Sequence, residues 1–293
     1  MLTVAVTGAG GFVGQRFMEY KAARYHLKPV SLRTAKVGSI DLSGVDVIVH
    51  LAGKAHDMKL TDEKVYVDIN YGLTKDIALY AINAGVRHFI YVSSVKVYGE
   101  GSDEPLNENS VCKPEDPYGR SKLKAEQYLL SIRQPGFTVS IVRPPVVYGP
   151  GVKGNIIRLL EAIDKGSMLP LGNTGNLRSM VFLDNLIELI HRIIDKRAPG
   201  IFVAGDERPL STSELITLIA GKLEKRIRLI TVPGFMRAMI KLIKPGLYKR
   251  LFGSFVVDNR QTNEQLEFVP PYSSEFGIGE MVNWYTSGNR TRI

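Results

Sequence analysis

Cysteine is nearly absent: Cys112 stands alone in 293 residues, which excludes an internal disulfide and a cysteine-built metal cluster. Such usage predicts a reducing compartment, the cytoplasm. No apolar run is long enough to cross a bilayer, so no integral membrane segment is expected. The start, MLTVAVTG, has neither the basic opening nor the long apolar stretch of a secretion signal. Repeats and low-complexity tracts are also missing. Charge of one sign is in excess: 38 Lys and Arg against 29 Asp and Glu leave a net +9. That balance invites anionic partners, among them nucleic acid, a membrane surface or a phosphorylated metabolite. No nucleic-acid-binding motif accompanies it, which argues against the first. His50 and His56 lack cysteine or acidic partners at ligand spacing, so no metal site is expected.

What is present is a regular alternation. TVAVT, KPVSLR, VDVIVHLA, HFIYVSS and TVSIVR are short runs rich in valine and isoleucine. Between them FVGQRFMEYKAARY, NYGLTKDIALYAINAG and YGRSKLKAEQYLLSI space their apolar residues as helices do. Near-continuous apolar strands alternating with helices predict an α/β, Rossmann-type, doubly wound parallel sheet covered on both faces. The rhythm breaks near Pro150. Residues 1–150 plus 178–204 are therefore expected to form the dinucleotide-binding domain. Residues 151–177 plus 205–293 form a smaller mixed lobe for the substrate.

The first strand runs straight into TGAGGFVG, with Gly8, Gly11 and Gly14 opening a helix. Glycines permit the tight turn and let a pyrophosphate reach main-chain N–H groups at Phe12, Val13 and their neighbours. A plain strand-to-helix connection would also use glycines; the position at the first βα turn favours the dinucleotide. The second strand ends at Arg33, where an acid for a ribose 2′-hydroxyl commonly stands. An arginine there suits a 2′-phosphate, hence NADP, or is an ordinary strand-end residue. Asp41 with Leu42 would instead meet the adenine end. Leu51, Ala52 and Gly53, of the HLAG turn, should bring backbone to the pyrophosphate.

In DPYGRSK, Asp116 is placed to cap a helix that Pro117 begins, and Tyr118 and Lys122 fall four residues apart on one face. A phenol is a poor base near neutrality, but a cation alongside favours the phenolate. Such a pair can take a proton from a sugar hydroxyl while a hydride leaves for nicotinamide. A solvated helix face is the ordinary reason for Tyr-x-x-x-Lys; here it follows a cofactor loop and a strand ending in two serines.

Together TGAGGFVG, VSSVKVYG and PYGRSK resemble the extended short-chain dehydrogenase/reductases, in the branch of NAD-dependent epimerases and dehydratases of nucleotide sugars. The likeness continues through Asn70 of DINYGLTKDI, RPPVVYGPG, RSMVFLDNL and VVDNRQTNEQLEFVP. It implies NAD or NADP as cofactor, a UDP-sugar as substrate and a homodimer. By position, Ser94, Tyr118 and Lys122 are the catalytic residues, Lys122 lowering the tyrosine's pKa and holding the nicotinamide ribose. Ser93 and Pro144 face the cofactor, and Asn70 supports it and the fourth helix. Arg178, and with it Asn155, would bind the sugar-nucleotide phosphates.

Dehydratases of that branch follow the active-site hydroxyl with an Asp-Glu pair; this chain has Val95 and Lys96 there, which cannot do that proton transfer. Two reactions at C4 remain, a 4-epimerase with tightly held NAD and a 4-keto reductase with exchangeable NADPH. The motifs lean to the first and Arg33 to the second. A non-catalytic NADP-binding sensor is the reading from another class, and retention of the Tyr118–Lys122 pair opposes it. The basic stretch from Lys222 to Phe255 is expected to be a substrate-lobe segment whose charges face water or a nucleotide diphosphate, in preference to a membrane-surface helix. Cys112 is expected to be a neutral loop thiol, and Trp284 to pack.

Overall fold

The valine-rich runs become strands because both of their faces find apolar cover. In β1 (Thr3–Thr7), Val4 and Val6 enter one core while Ala5 enters the other, the two-residue alternation of a pleated strand. The computed structural model describes residues 1–32, 37–55, 62–102 and 104–288. After β1 come α1 (Phe12–Glu19), β2 (His26–Val30), β3 (Val47–His50), α2 (Glu63–Tyr66), α3 (Leu73–Asn83), β4 (His88–Val92), α4 (Pro117–Ser131) and β5 (Thr138–Arg143). Beyond β5 lie β6 (Val146–Tyr148), α5 (Asn155–Asp164), β7 (Leu169–Gly172), β8 (Met180–Phe182), α6 (Leu183–Lys196) and β9 (Gly200–Val203). The remainder comprises α7 (Thr212–Lys222), β10 (Leu229–Thr231), α8 (Gly234–Ile243), α9 (Pro245–Phe252), α10 (Arg260–Leu266) and α11 (Ser274–Thr286).

Six strands form one parallel sheet in the order β2-β1-β3-β4-β5-β9. This is the α/β Rossmann-type fold. α1 and α6 cover one face, with Phe17, Leu186, Ile190 and Ile194 buried there. α3 and α4 cover the other through Ile77, Ala81, Ala125 and Leu129. A third core joins α5, α7 and α11 around Leu160, Ile163, Ile216, Ile219, Ile278 and Met281. α7 starts with a reciprocal cap between Ser211 and Glu214.

One boundary moves. The second strand, expected to reach Arg33, stops at Val30, opposite Thr7, because its partner β1 ends there and Gly8 turns away at φ +71°. Arg33 itself, and His56, lie outside the described residues. Strand order reverses at β1, with β2 on one side and β3 on the other, so a crevice opens at the carboxyl ends of β1 and β3.

Candidate active site

The Gly8 turn and the Leu51–Gly53 turn meet in that crevice. A Cβ on Gly8 would lie 2.7 Å from the Ala52 nitrogen, and one on Gly14 2.2 Å from the Gly8 carbonyl oxygen. Only glycine fits either place, and at Gly8 the positive φ adds a second reason. Gly11 precedes α1 without a side-chain cap, so the first N–H groups of the helix, at Phe12 and Val13, are left for a ligand. The Phe12 and Val13 side chains pack into the cores below.

Behind the turn runs a buried polar chain. His50 bonds through Nδ1 to the Thr7 hydroxyl at 2.8 Å and through Nε2 to the Thr74 hydroxyl at 2.9 Å. Thr74 donates to the Asn70 carbonyl at 2.7 Å, and the Ala52 N–H donates to Thr7 at 3.3 Å. Burial, with the Lys122 charge nearby, pushes His50 down to about 3, so it stays neutral. Asn70, fully buried in a π-helical turn over Val67–Gly72, accepts from the Lys54 N–H at 2.8 Å and donates to Ser121 Oγ at 3.0 Å. It thereby clamps the turn after Gly53 to α4, whose Tyr118 and Lys122 flank Ser121.

α4 begins where expected: Asp116 accepts from the Gly119 N–H at 2.6 Å, and Pro117 occupies the first helical position. Ser94 ends β4's extension as the cap of a short turn and accepts from the Lys96 N–H at 3.2 Å. The serine turn lies against α4, Lys96 reaching Asp116 at 3.5 Å, and the Ser94 hydroxyl acts to lower the Tyr118 pKa. Lys122 is 5% exposed; its ammonium donates to the Val92 carbonyl at 2.9 Å and lies 4.6 Å from the Tyr91 ring centroid. Burial holds Lys122 down at about 8, partly offset by Glu126 one turn on.

One expectation needs correction. Tyr118 is not lowered by its lysine: burial raises it to about 12, and what opposes burial is the Ser94 hydroxyl. The reason is geometric, since Lys122 is turned toward Val92 and Tyr91. Leu42 also differs, its side chain being 2% exposed within the core, so only its main chain is left to face a ligand. Asp41 is exposed, and its pairing with Lys28 and the Ser43 N–H at 3.0 Å holds its carboxyl below the usual range.

Ser93 sits beside Ser94 with its N–H on the Val142 carbonyl at 2.7 Å and a buried hydroxyl that has no partner among the described residues. Pro144 is buried and its carbonyl takes the Val95 N–H at 3.1 Å, holding the serine turn to β5's end. Arg178 donates through Nη2 to the Lys249 carbonyl at 2.8 Å, while its buried Nε has no partner. Burial lowers its pKa, against the pull of Glu100. Asn155 is exposed at the first position of α5.

Two residues escaped the sequence reading. Arg143 and Glu126, 3% and 1% exposed, form a buried fork of three hydrogen bonds at 2.6–3.2 Å, and Arg143 also donates to the Tyr98 hydroxyl at 2.8 Å. Glu126 continues the Tyr118–Lys122 face by another four residues, which was the available signal. The Lys96 ammonium lies 2.6 Å from Glu100 and 3.5 Å from Asp116, so it ties the serine turn to the cap of α4.

A tight glycine crevice, an uncapped helix start and the orphaned Ser93 hydroxyl, all at the carboxyl ends of the parallel strands, suit a dinucleotide. The model of the NAD dependent epimerase/dehydratase family matches residues 4–205. The chain belongs to this family. Family membership makes its cofactor a nicotinamide dinucleotide, NAD or NADP. The chain is 33% identical to UDP-glucose 4-epimerase of Vibrio cholerae over 98% of this chain and 96% of that protein. It is 29% identical to the N-acetyl-alpha-D-glucosaminyl-diphospho-ditrans,octacis-undecaprenol 4-epimerase of Escherichia coli O157:H7, over 78% of this chain and 75% of that one. The solved structure of UDP-glucuronic acid 4-epimerase from Bacillus cereus in complex with NAD superposes with a TM-score of 0.79 at 18% identity, covering 98% and 99% of the two chains.

Proposed function

We propose that this family member is a 4-epimerase of a UDP-hexose or UDP-N-acetylhexosamine, working through Ser94, Tyr118 and Lys122. The observation that carries the reading is the buried Lys122, one turn from Tyr118 on α4, with its ammonium 3.5 Å from where a Cβ on Gly53 would lie in the glycine crevice. The near full-length likeness to a 4-epimerase supports it. NAD, which the turns at Gly8 and Leu51–Gly53 and the start of α1 would hold, would supply the hydride acceptor and donor for C4.

The chain's part is proton management and positioning. Tyr118 takes the proton of the C4 hydroxyl and later gives it back, and Ser94 bridges the same oxygen in both directions. Burial leaves the phenol protonated, so its ionisation needs a cation; in this proposal Lys122, one turn along the same helix, supplies it by turning from the Val92 carbonyl. Lys96 fits this chemistry and not a dehydration. Its ammonium is committed to Glu100 and Asp116, where a dehydratase needs carboxyl groups to move protons between C5 and C6. Arg178, desolvated with Nε free, binds the diphosphate. Residues 151–177 and 205–293 form the sugar-nucleotide lobe in this proposal, and the working species is a homodimer.

Denaturing the purified protein and identifying the nucleotide it releases tests the reading. Stoichiometric NAD, with interconversion of UDP-glucose and UDP-galactose or of their N-acetyl forms, is the expected result. A protein that releases nothing, binds NADPH and consumes a UDP-4-keto-sugar would replace the proposal with a 4-keto reductase. The relative from Escherichia coli O157:H7 is named for a sugar diphosphate on undecaprenol, so the substrate panel includes N-acetylglucosaminyl-diphospho-undecaprenol.

A further inference from the structure

Among the described residues, α8 inverts the usual order of a surface helix. Phe235, Met239 and Leu242 stand at i, i+4 and i+7, with Met236 and Ile243 beside them, and all five face solvent. Phe235 is 73% exposed, Leu242 85% and Ile243 66%. The side chain that turns inward is the cation: Arg237 donates to the carbonyls of Val232 at 3.0 Å and Asn173 at 2.9 Å, and covers the Phe252 ring. α8 packs chiefly on α9, and no residue of α8 is buried. Lys241 and Lys244 face water as expected, but the largest apolar side chains of α8 face it with them. The helix shows a finished inner side and an apolar outer stripe with no counterpart in the described chain.

The surroundings of the stripe narrow what covers it. From Lys222 to Arg250 the chain has nine Lys and Arg against one acid, Glu224, a net +8 of the whole chain's +9. Lys241 and Lys244 are exposed at the end of α8. Some of this charge is neutralised locally, Lys225 by Asp164 at 3.5 Å and Lys249 by Glu115 at 3.1 Å. A second copy of the chain would bring the same positive field against itself. An anionic bilayer offers both things the surface lacks: acyl chains for the stripe and negative headgroups for the lysines around it.

We propose that α8 and α9 form a membrane-docking element that seats the protein on anionic lipid. α8 lies in the plane of the interface, Phe235, Met239, Leu242 and Ile243 enter the acyl boundary, and Lys241 and Lys244 reach the headgroups. The element adjoins the active site: the Lys249 carbonyl in α9 holds Arg178, and the Lys249 ammonium meets Glu115, next to the cap of α4. Docking therefore turns the diphosphate end of the site toward the bilayer.

Flotation of the full chain with vesicles of phosphatidylcholine alone, or with about a third phosphatidylglycerol, tests this. The anionic vesicles are expected to carry at least about tenfold more protein. Phe235→Ser, Leu242→Ser and Ile243→Ser combined should lower that binding by about tenfold or more, and Lys241→Gln with Lys244→Gln should weaken it as well. The melting temperature and turnover of a water-soluble UDP-sugar should be unchanged in both variants. This separates failure of docking from failure of the epimerase reading. Absence of flotation with anionic lipid would overturn the proposal, as would a triple serine variant that floats like wild type. A triple variant that only loses self-association on gel filtration would assign the stripe to a second copy instead.

Discussion

Helices α4 and α8 break the same rule in opposite directions. α4 takes two charges, Lys122 and Glu126, into the interior, while α8 holds its largest apolar side chains out in water. In α4 the violation is resolved within the chain. Glu126 meets Arg143 in a fork, and Lys122 has the Val92 carbonyl and the Tyr91 ring. In α8 nothing of the kind happens: Phe235, Met239 and Leu242 stay exposed, while the half-buried Arg237 donates to two carbonyls. A buried charge must be answered at once, because an unpaired one costs several kcal/mol. An exposed apolar stripe is cheap in water and becomes favourable only in another medium. The first kind of exception marks chemistry, and the second marks a surface.

The largest effect is expected where α4 does chemistry. Tyr118→Phe keeps the ring and its edge contact with Tyr66, at 6.1 Å between centroids, and removes only the proton carrier. Turnover should fall by about 10²- to 10⁴-fold with little change in melting temperature, the range for loss of a positioned acid–base group. A variant within tenfold of wild type in a steady-state assay would break the claim that α4 is the catalytic helix.

Next comes the pair beneath it. Arg143→Met leaves Glu126 buried, 1% exposed, without its fork. Urea unfolding should show a loss of about 3–5 kcal/mol, the cost of stranding one partner of a buried pair. Adding Glu126→Gln should recover much of it. Equal losses in the single and double variants would mean that the charge pairing is not what stabilises this part of the core.

How far each exception was legible follows from distance along the chain. The strand–helix alternation, the Gly8 turn and the Tyr118–Lys122 face are patterns within a few residues, and periodicity or spacing exposes them. Glu126 lay one more turn along a face already recognised, but its partner Arg143 is 17 residues on, across a loop and a whole strand. His50 reads as a polar residue at a strand end, yet three elements converge on it through Thr7, Thr74 and Asn70. The raised pKa of Tyr118 was out of reach because i, i+4 spacing says which side chains share a face and not where the ammonium turns. The same ambiguity hid α8: its apolar spacing was visible, and which side of the helix meets the body was not.

Acid offers a smaller, graded test of how completely the interior settles its polar groups. Burial holds His50 at about 3 and His88 and His191 at about 4, below the ordinary histidine value of 6.5. Below pH 6.5 the unfolded chain takes up protons that the folded chain refuses, so stability present above that pH is lost as pH falls toward 4. The slope should approach about 1.4 kcal/mol per pH unit for each histidine. Urea midpoints at pH 7, 6 and 5 measure it, and His88→Asn should flatten the profile by one histidine's share. An unchanged profile in that variant would assign the acid loss elsewhere.

The smallest expected effect sets α8 against α6, a helix whose apolar side is covered by the sheet. Leu186 in α6 is completely buried, and Leu186→Ala should cost about 2–5 kcal/mol through lost transfer energy and a cavity. Leu242 in α8 is 85% exposed, and Leu242→Ser should change stability in water by no more than about 0.5 kcal/mol. Chemical denaturation of the two variants side by side reads the difference directly. A large loss at Leu242 would mean that the stripe is already covered in solution, by a second copy or by chain that reaches back over it. A negligible loss leaves an apolar residue that the fold does not use, and a helix so arranged has its stabilising contact outside the molecule.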